Sequence, residues 1–254
     1  MQALFFDCDG VLADTERDGH RVAFNRAFAA RGLIAEWSVE RYADLLSTAG
    51  GKERMRRFFD EDGWPVAERA HDALIADLHT IKTSSFMDIV ESGQVPLRAG
   101  VARLIDAALG AGMRIAVCST SNERSVRAIV DQLGAGRASA MTLFAGDVVL
   151  VKKPDPAIYL LAARTFGLDP SRCVVIEDSA NGLRAAKAAD MPCIVTISSY
   201  TGGEDFSGAA KVVSDLGDPP ATHVTLADCR AACTTVMAGP HRSGCLPPDG
   251  SGAD

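Results

Sequence analysis

Three short, uninterrupted apolar runs mark the chain, each closed by a polar residue. They are Ala3-Leu4-Phe5-Phe6 before Asp7, Arg114-Ile115-Ala116-Val117-Cys118 before Ser119, and Cys173-Val174-Val175-Ile176 before Glu177. Runs of this length without period-two alternation predict strands buried on both faces, as in a parallel sheet. Pro192-Cys193-Ile194-Val195-Thr196-Ile197 predicts a fourth. Between the runs the apolar spacing is helical. Val101, Leu104, Ile105, Ala108 and Leu109 share one face, and Ile158, Leu161, Ala162 and Thr165 share another. Strands alternating with helices imply right-handed βαβ units, hence the α/β class with a doubly wound parallel sheet. From about Arg17 to Val95 the alternation stops, and the segment predicts several amphipathic helices with no strand. The expected organisation is an α/β core of residues 1–16 and 96–238, an all-helical insert at 17–95, and a turn-rich tail at 239–254 expected to be disordered.

Composition narrows the function classes. Of 254 residues, 47% are hydrophobic and 23% charged, enough to bury a sizeable core and unlike a disordered chain. With 26 basic against 33 acidic side chains the net charge is −7, so a basic duplex-binding face is not expected and nucleic acid is excluded as a partner. An acidic protein can still bind an anion where a few cations are focused in one cleft. The seven cysteines are scattered without metal-ligand spacing, several inside apolar runs, which suits a reducing compartment. The start of the chain has no basic leader and no stretch is apolar enough to span a bilayer, so a cytoplasmic protein without membrane contact is expected.

The chemistry lies where the strands end, because ligands of open α/β sheets bind at the carboxyl ends of strands. Asp7-Cys8-Asp9-Gly10 offers two carboxylates about a turn that glycine permits, suited to a hard cation, to nucleophilic attack or to proton transfer. An Asx turn ahead of a helix accounts for the same residues. Ser119-Thr120-Ser121-Asn122 leads into a helix and suits a phosphate, or simple helix capping. Lys152-Lys153-Pro154-Asp155-Pro156 pins two cations between two prolines, or is a solvated basic loop, and Glu177-Asp178 is a dense anionic pair suited to a hard cation, or acids complementing a helix dipole.

Taken together and in this order, the four clusters resemble the haloacid dehalogenase-like hydrolase superfamily, over about residues 2 to 215. The insert resembles the small cap of the branch that holds β-phosphoglucomutase and the CbbY-type phosphatases. The resemblance implies Asp7 as the nucleophile and a Mg²⁺ ligand. Asp9 is then the general acid and base, with its backbone carbonyl in the metal shell. Asp178 is a direct metal ligand, and Glu177 an acid in or just outside that shell. Ser119, Thr120, Asn122 and Lys153 hold the phosphoryl oxygens.

Within the branch, Asp14-Thr15-Glu16-Arg17-Asp18-Gly19-His20, with Phe24-Asn25, and Thr48-Ala49-Gly50-Gly51-Lys52-Glu53-Arg54-Met55 are similar to CbbY members, the xylulose-1,5-bisphosphate phosphatases of photosynthetic carbon fixation. The implied cap contacts are Glu16, His20, Gly51, Lys52, Arg54, His79 and Lys82, each of which could equally be a surface residue, while Tyr42 and Trp64 are expected in the cap core. One departure is Ala99 after Arg98, where the family often has proline, which affects hinge stiffness rather than chemistry. The reading is a Mg²⁺-dependent sugar-phosphate phosphatase, expected to be monomeric and to act on a small phosphorylated sugar through an aspartyl-phosphate. The alternatives are a sugar-phosphate mutase and, from another class, a non-catalytic phosphometabolite-binding protein.

Overall fold

The computed structural model describes residues 1–48 and 51–237. Ala49, Gly50 and the tail from 238 onward lie outside the described residues. Strand β1, Ala3–Phe6, is buried along its whole length. The helical insert follows: a π turn at Glu16–His20, α1 (Arg21–Ala30), α2 (Val39–Leu45), α3 (Gly51–Asp62), a 3₁₀ turn at Glu68–Ala70 and α4 (His71–Glu91). The chain then alternates through α5 (Val101–Gly110), β2 (Arg114–Cys118), α6 (Glu123–Asp131), α7 (Ala135–Ser139), β3 (Met141–Phe144), α8 (Ala157–Phe166), β4 (Cys173–Glu177), α9 (Ala180–Ala188), β5 (Cys193–Thr196), β6 (Lys211–Val213) and α10 (Leu226–Met237).

The six strands form one parallel sheet in the order β3-β2-β1-β4-β5-β6. Strand order reverses between β1 and β4, so the crevice at their carboxyl ends is the topological switch point. Alternate residues of β1 feed the two faces of the sheet: Leu4 and Phe6 pack with the α5 and α6 side, and Ala3 and Phe5 with the α8 and α9 side. This two-sided burial is why the runs carry no period-two pattern.

Two details differ from the sequence reading. β3 and β6 are edge strands of four and three residues, partly exposed, with apolar runs too short to register. The buried face of α8 is rotated: Ile158, Tyr159, Ala162 and Ala163 are buried, Leu161 is half-buried and Thr165 exposed. Tyr159 is drawn inward because its hydroxyl donates to Glu177, 2.5 Å away. The run Val148–Val151 ahead of Lys152 forms no strand, and Val148, Leu150 and Val151 are exposed.

The insert has a separate aromatic core of Phe24, Phe28, Trp37, Tyr42, Phe58 and Phe59, with Trp64 packed at its edge. Ser38 caps α2 by accepting from the Arg41 amide at 3.1 Å. Asn25 fixes the approach by exchanging hydrogen bonds with the Trp37 backbone at 2.8 and 3.0 Å. Six cysteines, Cys8, Cys118, Cys173, Cys193, Cys229 and Cys233, are buried free thiols. Among the described residues no helix is long and apolar enough to cross a membrane.

Phe28 lies at the centre of the aromatic core, its ring 5.1 Å from Trp37, 5.9 Å from Phe58 and 6.0 Å from Phe59. Phe28→Ala should destabilise the insert by about 3–5 kcal/mol, read as a lower urea midpoint with Trp fluorescence as probe. An unchanged midpoint would show that these rings do not hold the insert together.

Candidate active site

The switch point collects the polar residues that end β1, β2 and β4. Asp7 follows β1, and its amide donates to the Ile176 carbonyl of β4 at 2.9 Å. Glu177 ends β4 and Asp178 follows it. Their oxygens and those of Asp7 lie within 4.8 Å of one another, all three residues being buried. Two close approaches make this crowding possible. Gly10, at φ +76°, lies so near Asp178 that a Cβ there would overlap its carboxylate, and Gly182 stands in the same relation to Glu177.

Lys153 is the counter-charge. Its Nζ donates to Asp7 Oδ1 at 2.6 Å, to Glu177 Oε1 at 2.7 Å and to the Cys118 carbonyl at 2.8 Å. Burial alone would lower the affinity of this amine for its proton, but the adjacent Asp7 and Glu177 raise it above the ordinary lysine range, so Lys153 stays charged. Glu177 is fully engaged: Oε1 also accepts from Tyr159, and Oε2 accepts from the Asp178 amide at 3.1 Å and from Ser179 Oγ at 3.4 Å. Its oxygens hold Lys153 in place, and it lines the cleft together with Asp7 and Asp178.

Burial pushes the Asp7 carboxyl up to about 7, with Lys153 opposing and Glu177 and Asp9 adding to the rise. Burial, Glu177 and Asp7 likewise push Asp178 well above the carboxylate range. Three buried carboxylates facing one ammonium leave uncompensated negative charge when ionised, and an oxygen-only donor set is what a small hard divalent cation binds. The residues thus fit magnesium, with Asp7 and Asp178 as the side chains that would hold it.

Asp9 is held apart from this cluster. Its Oδ1 accepts from Thr15 Oγ1 at 2.5 Å, and its Oδ2 from Ser121 Oγ at 2.5 Å and Ser119 Oγ at 3.4 Å. Ser119 is buried, and its Oγ also accepts from the Ser121 amide at 3.1 Å. Thr120 lines the cleft. Asn122 does not: it is the N-cap of α6, accepting from the Arg124 amide at 2.9 Å, and its side chain opens to a neighbouring hollow.

From the insert, Glu16 and His20 line the same cleft, about 280 Å³ in volume. Glu16 accepts from the Tyr42 hydroxyl at 2.5 Å, and Arg54 donates to the same hydroxyl at 2.8 Å. Lys82 lies 2.9 Å from His20 Nδ1, with its ammonium 4.9 Å from the Phe24 ring and 5.2 Å from the Phe86 ring. Burial and then Lys82 lower His20 to about 3, so the imidazole is neutral and accepts at Nδ1. Burial, reinforced by Arg54, brings Lys82 down to about 8. Gly51 and Lys52 open α3, with Lys52 exposed, and His79 is half-buried close to Gly51.

Sequence reasoning missed Tyr159, Thr15 and Ser121 as site residues. Ser121 stood inside a quoted cluster as one more hydroxyl. Tyr159 gave no signal, since only the observed rotation of α8 brings it to Glu177.

A family model for haloacid dehalogenase-like hydrolases matches residues 1–190. A CBBY-like protein of Arabidopsis thaliana is 56% identical over 232 residues, covering 89% of this chain and 73% of that protein. Protein CbbY of Rhodobacter capsulatus is 44% identical over 218 residues, covering 85% of this chain and 94% of its own. The crystal structure of a mutant CbbY from Rhodobacter sphaeroides in complex with xylulose-(1,5)bisphosphate matches with a TM-score of 0.72 at 40% identity, over 90% of this chain and 99% of that one. Buried carboxylates gathered round one lysine at the switch point are what such a hydrolase needs, and these matches agree: the chain belongs to the haloacid dehalogenase-like hydrolases, in the CbbY-like branch, and is a phosphatase.

Proposed function

We propose that the protein is a Mg²⁺-dependent phosphatase of a sugar bisphosphate, xylulose 1,5-bisphosphate being the favoured substrate, working through an aspartyl-phosphate on Asp7. The observation that carries the reading is the pairing of Asp7, buried and held 2.6 Å from Lys153, with Asp9, held separately by Thr15 and Ser121. Two carboxylates in such different surroundings suit two different tasks. The relative crystallised with xylulose-(1,5)bisphosphate supports the substrate.

In this reading the phosphoryl group sits between Asp7, Ser119, Thr120 and Lys153. Asp7 attacks phosphorus, the bond to the sugar oxygen breaks, and Asp9 gives that oxygen its proton. Asp9 then takes a proton from water as the water attacks the aspartyl-phosphate, releasing phosphate and restoring the Asp7 carboxylate. Lys153 orients Asp7 and places positive charge beside the transferring oxygens, where a loose transition state gains most from it. Magnesium bound at Asp7 and Asp178 would add charge of the same sign and offset repulsion between carboxylate and phosphate. Glu177 holds Lys153 in place, and residues 17–95 act as a cap over the substrate. At the hinge of the cap, Glu16 and the His20 ring face sugar hydroxyls. Arg54 and Lys82, with Lys52 at the start of α3, face the phosphate that is not transferred, and Gly51 and His79 flank them.

Asp7→Asn should lower turnover of p-nitrophenyl phosphate by on the order of 10⁴-fold, because no other group replaces the nucleophile. Near-normal steady-state rates in that variant would remove the covalent route.

The raised Asp7 carboxyl, at about 7, also fixes the sign of a pH effect on the metal-free protein. A carboxyl that holds its proton more tightly when folded contributes stability at low pH, and this is lost as pH rises through its folded value. Magnesium needs Asp7 and Asp178 both ionised, and both carboxyls are raised, so its affinity should rise with pH through and beyond pH ~7, by about tenfold or more per unit below it. Calorimetric titration of EDTA-treated protein across that range is the check. A flat profile would mean that Asp7 is not a ligand.

Lys52 is exposed, so replacing it leaves the core of the insert intact. Since a charge-assisted hydrogen bond contributes roughly 1.5–3 kcal/mol, Lys52→Ala should cost about 10- to 100-fold in kcat/KM for xylulose 1,5-bisphosphate and leave p-nitrophenyl phosphate almost untouched. Equal wild-type efficiency on xylulose mono- and bisphosphates would overturn the second-phosphate idea.

A further inference from the structure

Most of the insert's aromatic core is supplied by the insert itself, but one ring comes from elsewhere. Tyr200, in the loop after β5, packs against that core with its ring 5.6 Å from Tyr42 at an interplanar angle of 66°, an edge-on contact. Its hydroxyl is buried and meets no hydrogen-bond partner among the described residues, so the ring, not the hydroxyl, makes the contact.

The loop that presents Tyr200 is braced on the core side. The Ser199 amide and hydroxyl both donate to Asp14 Oδ2, at 3.2 and 2.5 Å. Thr201 Oγ1 accepts from the Ser198 amide at 2.9 Å, the Ile197 amide donates to Val213 at 2.8 Å, and Arg98 donates to the Ile197 carbonyl at 2.6 Å. The ring therefore projects from a fixed platform at the sheet's carboxyl edge.

The residue it meets links Glu16 to Arg54. Tyr42 donates to Glu16 at 2.5 Å, accepts from Arg54 at 2.8 Å, and carries the Arg54 guanidinium 5.1 Å from its ring centre. Both partners are insert residues, and Glu16 lines the Asp7 cleft. A single edge-on contact thus joins the sheet edge to the side chain that sets where Glu16 and Arg54 point.

We propose that Tyr200 is a positioning residue of the reaction: its ring latches the cap onto the core through Tyr42, and so sets the geometry of Glu16 and Arg54 toward the substrate. The proposal rests on the reading of those two residues as substrate contacts. When the latch is lost, the closed cap is less populated, and the apparent affinity for a substrate that needs it falls by the same fraction. A small substrate that uses only the core motifs is unaffected.

The test compares Tyr200→Leu and Tyr200→Phe in the full chain with magnesium present. Two readouts are needed, steady-state kinetics and hydrogen exchange of the α2 and α3 amides without substrate. The leucine variant should exchange faster in α2 and α3, raise KM for xylulose 1,5-bisphosphate by about tenfold with a smaller change in kcat, and hydrolyse p-nitrophenyl phosphate as the wild type does. Phenylalanine keeps the ring and should restore both readouts. Unchanged exchange in the leucine variant, a phenylalanine variant that behaves like leucine, or a parallel loss on both substrates would each overturn the latch. If exchange responds as expected and phenylalanine rescues it, but the wild type does not hydrolyse the bisphosphate, the latch stands and the substrate reading fails.

Discussion

Everything at the switch point depends on one buried ammonium. Lys153 reaches across three strand ends, binding Asp7 after β1, the Cys118 carbonyl at the end of β2 and Glu177 at the end of β4. Ion pairs at the surface contribute little, but here the pairing is obligatory, because removing one partner of a buried pair typically costs about 3–5 kcal/mol in uncompensated charge. The lysine serves structure and chemistry at once. It lets acidic side chains gather where water is scarce, and it fixes the carboxylate of Asp7 at the end of β1.

Around that centre the fold divides the work. The core fixes its acids by close backbone approach, through Gly10 and Gly182, and by a second layer of donors such as Tyr159 and Ser179. Arg54 and Lys82 of the insert are set by rings instead: Arg54 lies against Tyr42, and Lys82 against Phe24 and Phe86, whereas Arg31, Arg41, Arg56 and Arg57 of the same insert are ion-paired at its surface.

Much of this was legible in the sequence, for identifiable reasons. A strand buried on both faces must be a continuous apolar run, so β1, β2, β4 and β5 declared themselves, and with them the positions of Asp7, Ser119 and Glu177. Edge strands have one covered side and few residues, and β3 and β6 left no such trace. Tyr159 was hidden because an apolar helix offers several plausible faces, and the one used is selected by a hydrogen bond made through space. Asn122 shows the converse: in sequence a capping residue and a phosphate ligand look alike, and only geometry separates them. Tyr200 lies in a loop with no motif, and its meaning comes from a ring 158 positions earlier in the chain.

The place of β1 in the sheet has a consequence for how the chain is made. β1 precedes the other five strands in sequence yet is an inner one, and its two neighbours are far downstream: Ala3 pairs with Arg114 on one side and Cys173 on the other. Until both have emerged, Leu4, Phe5 and Phe6 have no sheet to join. The insert's aromatic core comes almost wholly from its own helices, which are complete in sequence by Glu91, while Phe86, Ile89 and Val90 of α4 await the later α5 and α6 for their burial. The Asp7 turn is assembled only once β4 has been made, because the Asp7 amide bonds to Ile176.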